Sequence, residues 1–312
     1  MSLEELRSLI TRHTPEGAAE PFDDVLLSRE PHAGPPHLSS TGTVFALIVQ
    51  GSKQLALGDR TYDYGAGEYL VASVDLPVTG RFTRATPEAP ALGFGLALHG
   101  PAIAELLLAE AAALPDRPPR AGPAVPALAV SRATHELLDA VTRLLRLLDR
   151  PRDLPILAPM VKREILWLLL TGPQGETVRQ LGLPDSSLTH VGRTVRWLRE
   201  NHAESVRVEE LAASVGLSVS AFHRNFQAVT GVSPIQFQKR IRLQEARQQL
   251  AGSNDDVAQV AYAVGYDSPS QFNREYRRLF GTSPGRDRQH LRATAGLAPV
   301  VPNQPTGAPR AV

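Results

Sequence analysis

Two copies of one helix-turn-helix pattern occupy the last third of this 312-residue chain, and they constrain its fold more than any other feature. The copies lie 49 or 50 residues apart, and the one-residue difference falls in the turn between the two helices. The matched pairs are Ala212 and Ala261, Gly216 and Gly265, Phe222 and Phe272, Arg224 and Arg274, and Gly231 and Gly281. A single copy would be a weak signal, so it is the repeat that predicts two such units.

Each part of the pattern has a physical reason. A glycine in the turn tolerates a positive φ, and Gly216 and Gly265 stand where the turn requires it. Ser218 and Ser268 are N-cap residues for the helices that follow. Aromatic residues four positions apart, beginning with Phe222 in the first copy, predict a buried helix face. In units of this kind the second helix enters the major groove of DNA.

The helix face opposite the aromatic residues is expected to meet DNA. Arg pairs with guanine and Gln with adenine through two hydrogen bonds each, and residues near the helix N-termini reach the base edges most readily. The expected base-reading residues are Ser220, His223, Arg224, Ser270, Gln271 and Arg274. The expected phosphate contacts are Arg277, Arg278, Lys239 and Arg240. The alternative for each residue is that it lies on a solvated helix face and contacts nothing. This alternative is weakest for Arg224 and Arg274, because they hold the same place in both copies.

The segment between the two copies predicts one continuous helix over residues 234–250. Pro234 suits its first turn, and its apolar positions can face both units. A helix of this length spans roughly 25 Å. It is therefore long enough to hold two reading helices about one DNA turn, near 34 Å, apart.

Charge is unevenly spread along the chain. The net charge is only +1, yet residues 189–292 hold 15 Lys and Arg against 10 Asp and Glu, and the remainder holds 18 against 22. A basic segment on a mildly acidic body predicts a polyanionic partner for that segment alone. The absence of cysteine excludes disulfides and thiolate chemistry. The N-terminus lacks the apolar run of a signal peptide, so a cytoplasmic protein without a membrane partner is expected.

The upstream half changes from strands to helices. Short apolar runs with turn signals between residues 43 and 98 predict a small barrel or sandwich. Residues 14–40, rich in Pro, Gly and His, are expected to be loop, and helices are predicted over 102–113, 131–149 and 159–170. The last two form a helical hairpin whose apolar surface suits either packing on the strands or a dimer interface, and both interpretations stay open.

The helix-turn-helix segments resemble the AraC/XylS family of bacterial transcription regulators. The segment 264–281, from Val264-Gly265-Tyr266-Asp267-Ser268 to the run ending at Gly281, carries the most specific part of this resemblance. Asp287 departs from the pattern, since the family usually has an aromatic residue there, and we expect it to weaken the packing of the terminal helix slightly. Upstream, the segments 49–53, 62–71, 75–78 and 162–166 resemble one subgroup with its own AraC-type N-terminal domain.

The resemblance implies an α+β fold with two domains. Residues 1–175 are expected to form a cupin-like small β-barrel with a helical hairpin that senses an effector and dimerises. Residues 176–188 are expected to be a linker, and residues 189–292 an all-α DNA-binding domain with two helix-turn-helix units joined by a linker helix. A disordered tail is expected over 293–312, where proline is frequent.

Catalytic, metal or cofactor chemistry is not expected in the barrel. No predicted strand carries a His-x-His pair, and His99 stands alone at a strand end. A pocket for an effector would be lined by inward-facing aromatic residues. The candidates are Phe45, Tyr62, Tyr64, Phe82 and Phe94. The alternative is that these aromatic residues simply fill the barrel.

The chain is thus expected to be a sequence-specific DNA-binding transcription regulator modulated by a small molecule. Its expected partners are double-stranded operator or promoter DNA, an unidentified small-molecule effector, RNA polymerase and a second copy of the chain; the last two stay open. One alternative is a cupin-type enzyme that carries a DNA-binding domain. A protein that coats DNA without sequence preference would need a far more basic chain.

Overall fold

The structure is a computed structural model that describes residues 3–15, 17–57, 60–113, 125–183, 185–253 and 255–295. It divides the chain into two compact units, residues 1–241 and residues 242–312. The division falls inside a long helix near the C-terminus.

The strands of the first unit form two antiparallel sheets, which we call the barrel. Its strands are β1 (Ala18–Phe22), β2 (Val25–Glu30), β3 (His37–Ser40), β4 (Val44–Gln50), β5 (Ser52–Leu57), β6 (Arg60–Gly65), β7 (Glu68–Ala72), β8 (Pro77–Arg84), β9 (Ala91–Ala97) and β10 (Leu128–Arg132). The larger sheet has the order β1-β2-β9-β4-β7-β10 and the smaller one β3-β8-β5-β6. The predicted sheet-rich N-terminal domain is confirmed.

The helices of the first unit cover the barrel and then build the first helix-turn-helix. They are α1 (Leu3–His13), α2 (Gly100–Ala113), α3 (His135–Arg146), α4 (Leu154–Thr171), α5 (Gly175–Leu181), α6 (Ser187–Glu200), α7 (Val208–Ser214), α8 (Val219–Thr230) and the start of α9 (Pro234–Gly252). Helices α3 and α4 pack against each other, as the predicted hairpin requires. Apolar residues of α1, α3 and α4 share one core with the larger sheet, so the hairpin packs on the strands.

A second core in the first unit joins the barrel to the first helix-turn-helix. It contains Leu55, Tyr64 and Val78 of the smaller sheet together with Phe222 and Phe226 of α8. A main-chain hydrogen bond of 3.0 Å, from the Ala127 amide to the Val229 carbonyl, closes the same contact. The first reading helix is therefore supported by the barrel as well as by its own neighbours.

Two predictions for the N-terminal region were wrong. Residues 14–40 contain β1, β2 and β3 in addition to loop, because β2 pairs with the distant strand β9 and β3 with β8. The helix predicted from residue 131 begins at His135, because Ser131 lies in β10 and Thr134 caps α3 by accepting a hydrogen bond from the Leu137 amide. The paired residues lie 61 to 71 positions apart for β2 and 37 to 43 positions apart for β3, so no short stretch of sequence contains both partners.

The segment 176–188, expected to be an interdomain linker, contains most of helix α5. Val178 on this helix is fully buried, and α5 packs against both α2 and α4. Arg179 of α5 forms an ion pair of 2.5 Å with Glu110 of α2. The compact units instead divide within α9, between Ile241 and Arg242.

The second unit comprises the end of α9 with α10 (Val257–Ala263), α11 (Pro269–Phe280) and α12 (Pro284–Ala295). Its own core contains Leu243, Leu250, Val260, Phe272 and Tyr276. The predicted helical C-terminal region is confirmed. The expected disordered tail begins within α12, and its part from residue 296 onward lies outside the described residues.

Candidate nucleic-acid interface

The first helix-turn-helix unit is formed by α7 and α8 with Gly216 between them. Gly216 has a φ of +71°, which lets the chain turn where a side chain would be strained. Ser218 accepts a hydrogen bond from the Ala221 amide and so caps α8 at its N-terminus. Gly231, at a φ of +76°, ends the helix. Local chemistry therefore fixes both ends of the first reading helix.

The exposed face of α8 carries the residues expected to read bases. Phe222 and Phe226 are buried, and their rings lie 5.7 Å apart against the core. Ser220, His223 and Arg224 are exposed on the other side. The structure thus brings all three predicted residues of the first copy to one accessible surface.

The second unit repeats this arrangement with α10 and α11. Ser268 caps α11 and Pro269 occupies its first turn, while Phe272 and Tyr276 are fully buried. Ser270 and Arg274 are exposed. Gln271 is half-buried, and its side-chain amide donates a 3.1 Å hydrogen bond to Glu275. Ser270 and Arg274 are therefore accessible from the solvent, whereas the Gln271 side chain is engaged with Glu275.

The predicted phosphate contacts divide into two kinds. Arg277 and Arg278 are exposed in the last turn region of α11. Lys239 and Arg240 are half-buried on α9, and both also take part in interactions within the chain. Arg277 and Arg278 are thus the better placed of the four for a phosphate backbone.

A residue of the linker helix that the sequence analysis did not select holds the second turn. The Arg242 guanidinium donates a 2.7 Å hydrogen bond to the carbonyl of Gly265, the glycine of that turn. Its centre lies 5.9 Å from the ring of Tyr266, and burial lowers the pKa of Arg242. Burial also raises the pKa of Tyr266, whose hydroxyl donates to Glu275. Arg242 positions the turn, and only the fold shows this.

Asp287 does not weaken the terminal helix in the way that the sequence analysis expected. Its side chain is 4% exposed and accepts a hydrogen bond of 2.8 Å from Arg247 Nε. The hydroxyl of the buried Tyr276 donates to the same carboxylate at 2.8 Å, and burial raises the pKa of that tyrosine. The polar side chain in place of an aromatic one thus ties α12 to both α9 and α11.

A polar contact between the barrel and α6 also escaped the sequence analysis. The Arg199 guanidinium of α6 donates to the Ser40 hydroxyl at 2.7 Å and lies 3.5 Å from the Asp75 carboxylate. Asp75 in turn accepts hydrogen bonds from Ser40 and from the Gly42 amide, the latter at 2.7 Å. The barrel therefore holds the helix that precedes the first helix-turn-helix by charge as well as by apolar packing.

The five aromatic residues named for effector binding do not converge. Phe45 and Phe94 are buried in the core beneath the larger sheet, with ring centroids 6.0 Å apart. Tyr64 lies in the other core, and Tyr62 and Phe82 are half-buried against it. Phe45 and Phe94 fill their core, as the alternative held, and of the five only Tyr62 and Phe82 are partly exposed.

The isolated histidine of the sequence analysis has a partner. His99 Nε2 lies 2.7 Å from Asp24 Oδ1, and the Lys162 ammonium lies 3.0 Å from Asp24 Oδ2. Burial raises the pKa of Asp24, but hydrogen bonds from His99 and Lys162 outweigh it, so the net pKa is lowered. Among the described residues, no group of three or more His, Cys, Asp or Glu is arranged to hold a metal ion. No helix within the described ranges is both long and apolar enough to cross a membrane.

Comparison with known proteins agrees with this architecture. Residues 211–290 match a helix-turn-helix domain model. The transcriptional activator RhaS of Escherichia fergusonii is 31% identical over 160 residues, which cover 51% of this chain and 56% of RhaS. RhaS of Salmonella schwarzengrund is 30% identical over 161 residues, with the same coverage. The chain thus spans little more than half the length of the curated relatives it matches.

Solved structures and a second family model extend the comparison. Fatty-acid-bound ToxT from Vibrio cholerae aligns with a TM-score of 0.51 at 9% identity, over 90% of this chain and 100% of ToxT, which shows a shared fold. The DNA-binding domain of AdpA, solved with a target DNA, is 32% identical at a TM-score of 0.33, over 35% of this chain and 97% of that domain. Residues 21–177, half of the chain, match the model described as the AraC-type transcriptional regulator N-terminus. The chain belongs to the AraC family of transcriptional regulators.

Proposed function

We propose that this protein is a sequence-specific DNA-binding transcription regulator that reads two successive segments of major groove. The observation that carries the proposal is that Arg224 and Arg274 are exposed at the same place on two helices. Each helix has a serine N-cap and a buried aromatic face on its opposite side. RhaS, which matches about half of this chain, is named as a transcriptional activator. A promoter-reading protein of a bacterium acts in the cytoplasm, which is the localisation that the sequence predicts.

The chemistry of reading follows from the side chains that α8 and α11 expose. Arg224 and Arg274 can each make two hydrogen bonds to the major-groove edge of a guanine. Ser220 and Ser270, nearer the helix N-termini, can contact a base edge or an adjacent phosphate. Arg277 and Arg278 add affinity that does not depend on sequence.

The barrel supports an effector role rather than an enzymatic one, since the family consists of regulators. A ligand that binds one arrangement of the barrel better than another shifts the population toward it. The shared core and the Arg199 contact connect the barrel to the first reading unit, so this shift reaches the DNA-binding surface.

A second copy of the chain and RNA polymerase are further proposed partners. Helix α4 exposes Ile156, Met160 and Trp167, with 69%, 66% and 39% of each residue accessible. Exposed apolar side chains in such a row are typical of a surface that another protein covers. Sedimentation analysis of the full chain measures whether Met160→Glu converts a dimer to a monomer.

The test of DNA reading is capture of sheared genomic DNA on the full-length protein at physiological salt, followed by sequencing. A few sharp peaks that share a motif about two major-groove segments long are expected. On that site, Arg274→Ala should lower affinity by roughly 1–3 kcal/mol and relax specificity at one base. Arg277→Ala, the matched control, should weaken cognate and random DNA alike. Equal losses on both DNAs for Arg274→Ala would mean that this residue touches only phosphate.

A further inference from the structure

A half-buried lysine lies on the inner face of the smaller sheet. Side chains alternate along a strand, so Lys53 shares a face of β5 with Leu55 and Leu57, and both leucines are buried. The register places Tyr64 of β6 and Phe82 of β8 opposite Lys53 on the two neighbouring strands. Side chains opposite each other in a sheet lie about 5 Å apart at Cβ. A cation, a phenol and an aromatic ring therefore meet at one place.

The charge of Lys53 has no counter-ion in the structure. Its ammonium lies 5.1 Å from the centre of the Phe82 ring. In the part of the chain that the structure describes, no carboxylate pairs with it and no hydrogen-bond acceptor reaches it. Burial lowers the pKa of Lys53. Lys53 is half-buried, so its ammonium is open to a ligand from the solvent, and an anion that binds there would pair with a charge that has no counter-ion.

Tyr64 supplies a second donor at the same place. The residue is 3% exposed and burial raises the pKa of its hydroxyl, which therefore stays protonated and able to donate. Among the described residues no acceptor is assigned to this hydroxyl. The half-buried Phe82 and Tyr62 supply apolar surface beside the two donors.

We propose that Lys53, Tyr64 and Phe82 bind the carboxylate end of a small organic monoanion with an apolar body. The ammonium pairs with the carboxylate, the Tyr64 hydroxyl donates to one of its oxygens, and the aromatic side chains cover the apolar part. One positive charge matches one negative charge. This inference rests on the proposed function, because it names the chemical class of the effector.

One strand connects this site to the DNA-binding half of the first unit. Strand β8 carries Phe82 near one end, and at the other end its Pro77 pairs with Ser40. Ser40 and Asp75 are the residues that hold Arg199. A ligand that moves Phe82 would therefore act on the strand that pairs with Ser40, one of the two residues that hold α6.

The chain's three lysines, Lys53, Lys162 and Lys239, make the test direct. Reductive methylation with ¹³C-formaldehyde labels each amine of the full-length protein, and Lys53→Met assigns its resonance. Hexanoate and phenylacetate are the probes, and hexanamide and hexylamine are their neutral and cationic counterparts. The Lys53 resonance should shift with either carboxylate at concentrations at least tenfold lower than with hexanamide.

Variants separate the site from general charge effects. Lys53→Met should abolish the preference of the protein for hexanoate over hexanamide, measured by ligand-observed NMR, and Tyr64→Phe should reduce it several-fold. Arg60→Met, which removes an exposed cation from the same sheet, should keep it. If neither carboxylate shifts the Lys53 resonance, or if Lys53→Met keeps the preference, the proposal is wrong. These measurements use no DNA, so their failure would count against the ligand site and leave the proposed reading of DNA untouched.

Discussion

Removal of the Asp287 carboxylate should loosen the whole second unit. Arg247 and Tyr276 both donate to it at 2.8 Å, and the carboxylate is 4% exposed. In Asp287→Ala the fully buried Tyr276 hydroxyl and the Arg247 guanidinium, 25% exposed, lose their acceptor. Breaking a buried pair from one side costs about 3–5 kcal/mol. Because Arg247 retains some contact with water, we expect about 3 kcal/mol.

Amide hydrogen exchange on the full-length protein measures this loss locally. Each 1.4 kcal/mol is a tenfold change in an equilibrium constant, so exchange across residues 257–291 should speed up about 100-fold. Asp267→Ala, an exposed acidic residue of the same unit, is the matched control and should change exchange by less than threefold. Equal effects of the two substitutions would refute the inference that the buried Asp287 carboxylate stabilises the second unit through Arg247 and Tyr276.

A double-mutant cycle separates the tyrosine from the arginine. Tyr276→Phe removes one hydrogen bond to a charged group and should cost about 1.5 kcal/mol. The double variant with Asp287→Ala should cost less than the sum of the two, because no buried hydroxyl is then left without an acceptor. Strict additivity would show that the two side chains do not interact.

Three further predictions follow from local geometry. Gly281→Ala should lower the free energy of unfolding by about 1–2 kcal/mol through its φ of +73° alone, since a Cβ there meets nothing within 4 Å. An unchanged free energy of unfolding, measured by chemical denaturation, would contradict this. Ser218→Ala should cost about 1 kcal/mol through the lost cap of α8, and Ser218→Asp should restore it. Asp24 has a lowered pKa, so its stabilisation is fully present above the ordinary aspartate pKa of about 3.9 and is lost as pH falls through the lower folded value. The stability difference between wild type and Asp24→Asn should therefore shrink below about pH 4, and pH curves that stay parallel would contradict it.

The helix-turn-helix units could be predicted because their signals are local. Glycine, a capping serine and aromatic residues four apart lie within a few residues of one another, and each acts through the backbone beside it. The contacts that place Arg242 and Asp287 depend on residues 23 and 40 positions away, respectively, which no window along the chain includes. Strands β2 and β3 were missed for the same reason, since they pair with β9 and β8, whereas β1 forms a local hairpin with β2.

The barrel site shows a different limit. The alternation of Lys53, Leu55 and Leu57, which places them on one face of β5, is visible in the sequence. A charged side chain at the first of these positions nevertheless suggests that this face points to solvent, until the strand register is known. Aromatic residues alone could not identify the site, because two of the five fill a core of their own.

The first helix-turn-helix shares its core with the barrel, whereas the second has a separate core within the second unit. Binding to one half of an operator would then depend on the state of the barrel, and binding to the other half would not. Base changes in the half read by α11 would scale promoter strength equally with and without effector, and changes in the half read by α8 would alter the induction ratio. Promoters served by such a protein could set their basal output and their inducibility by separate substitutions, and so evolve the two independently.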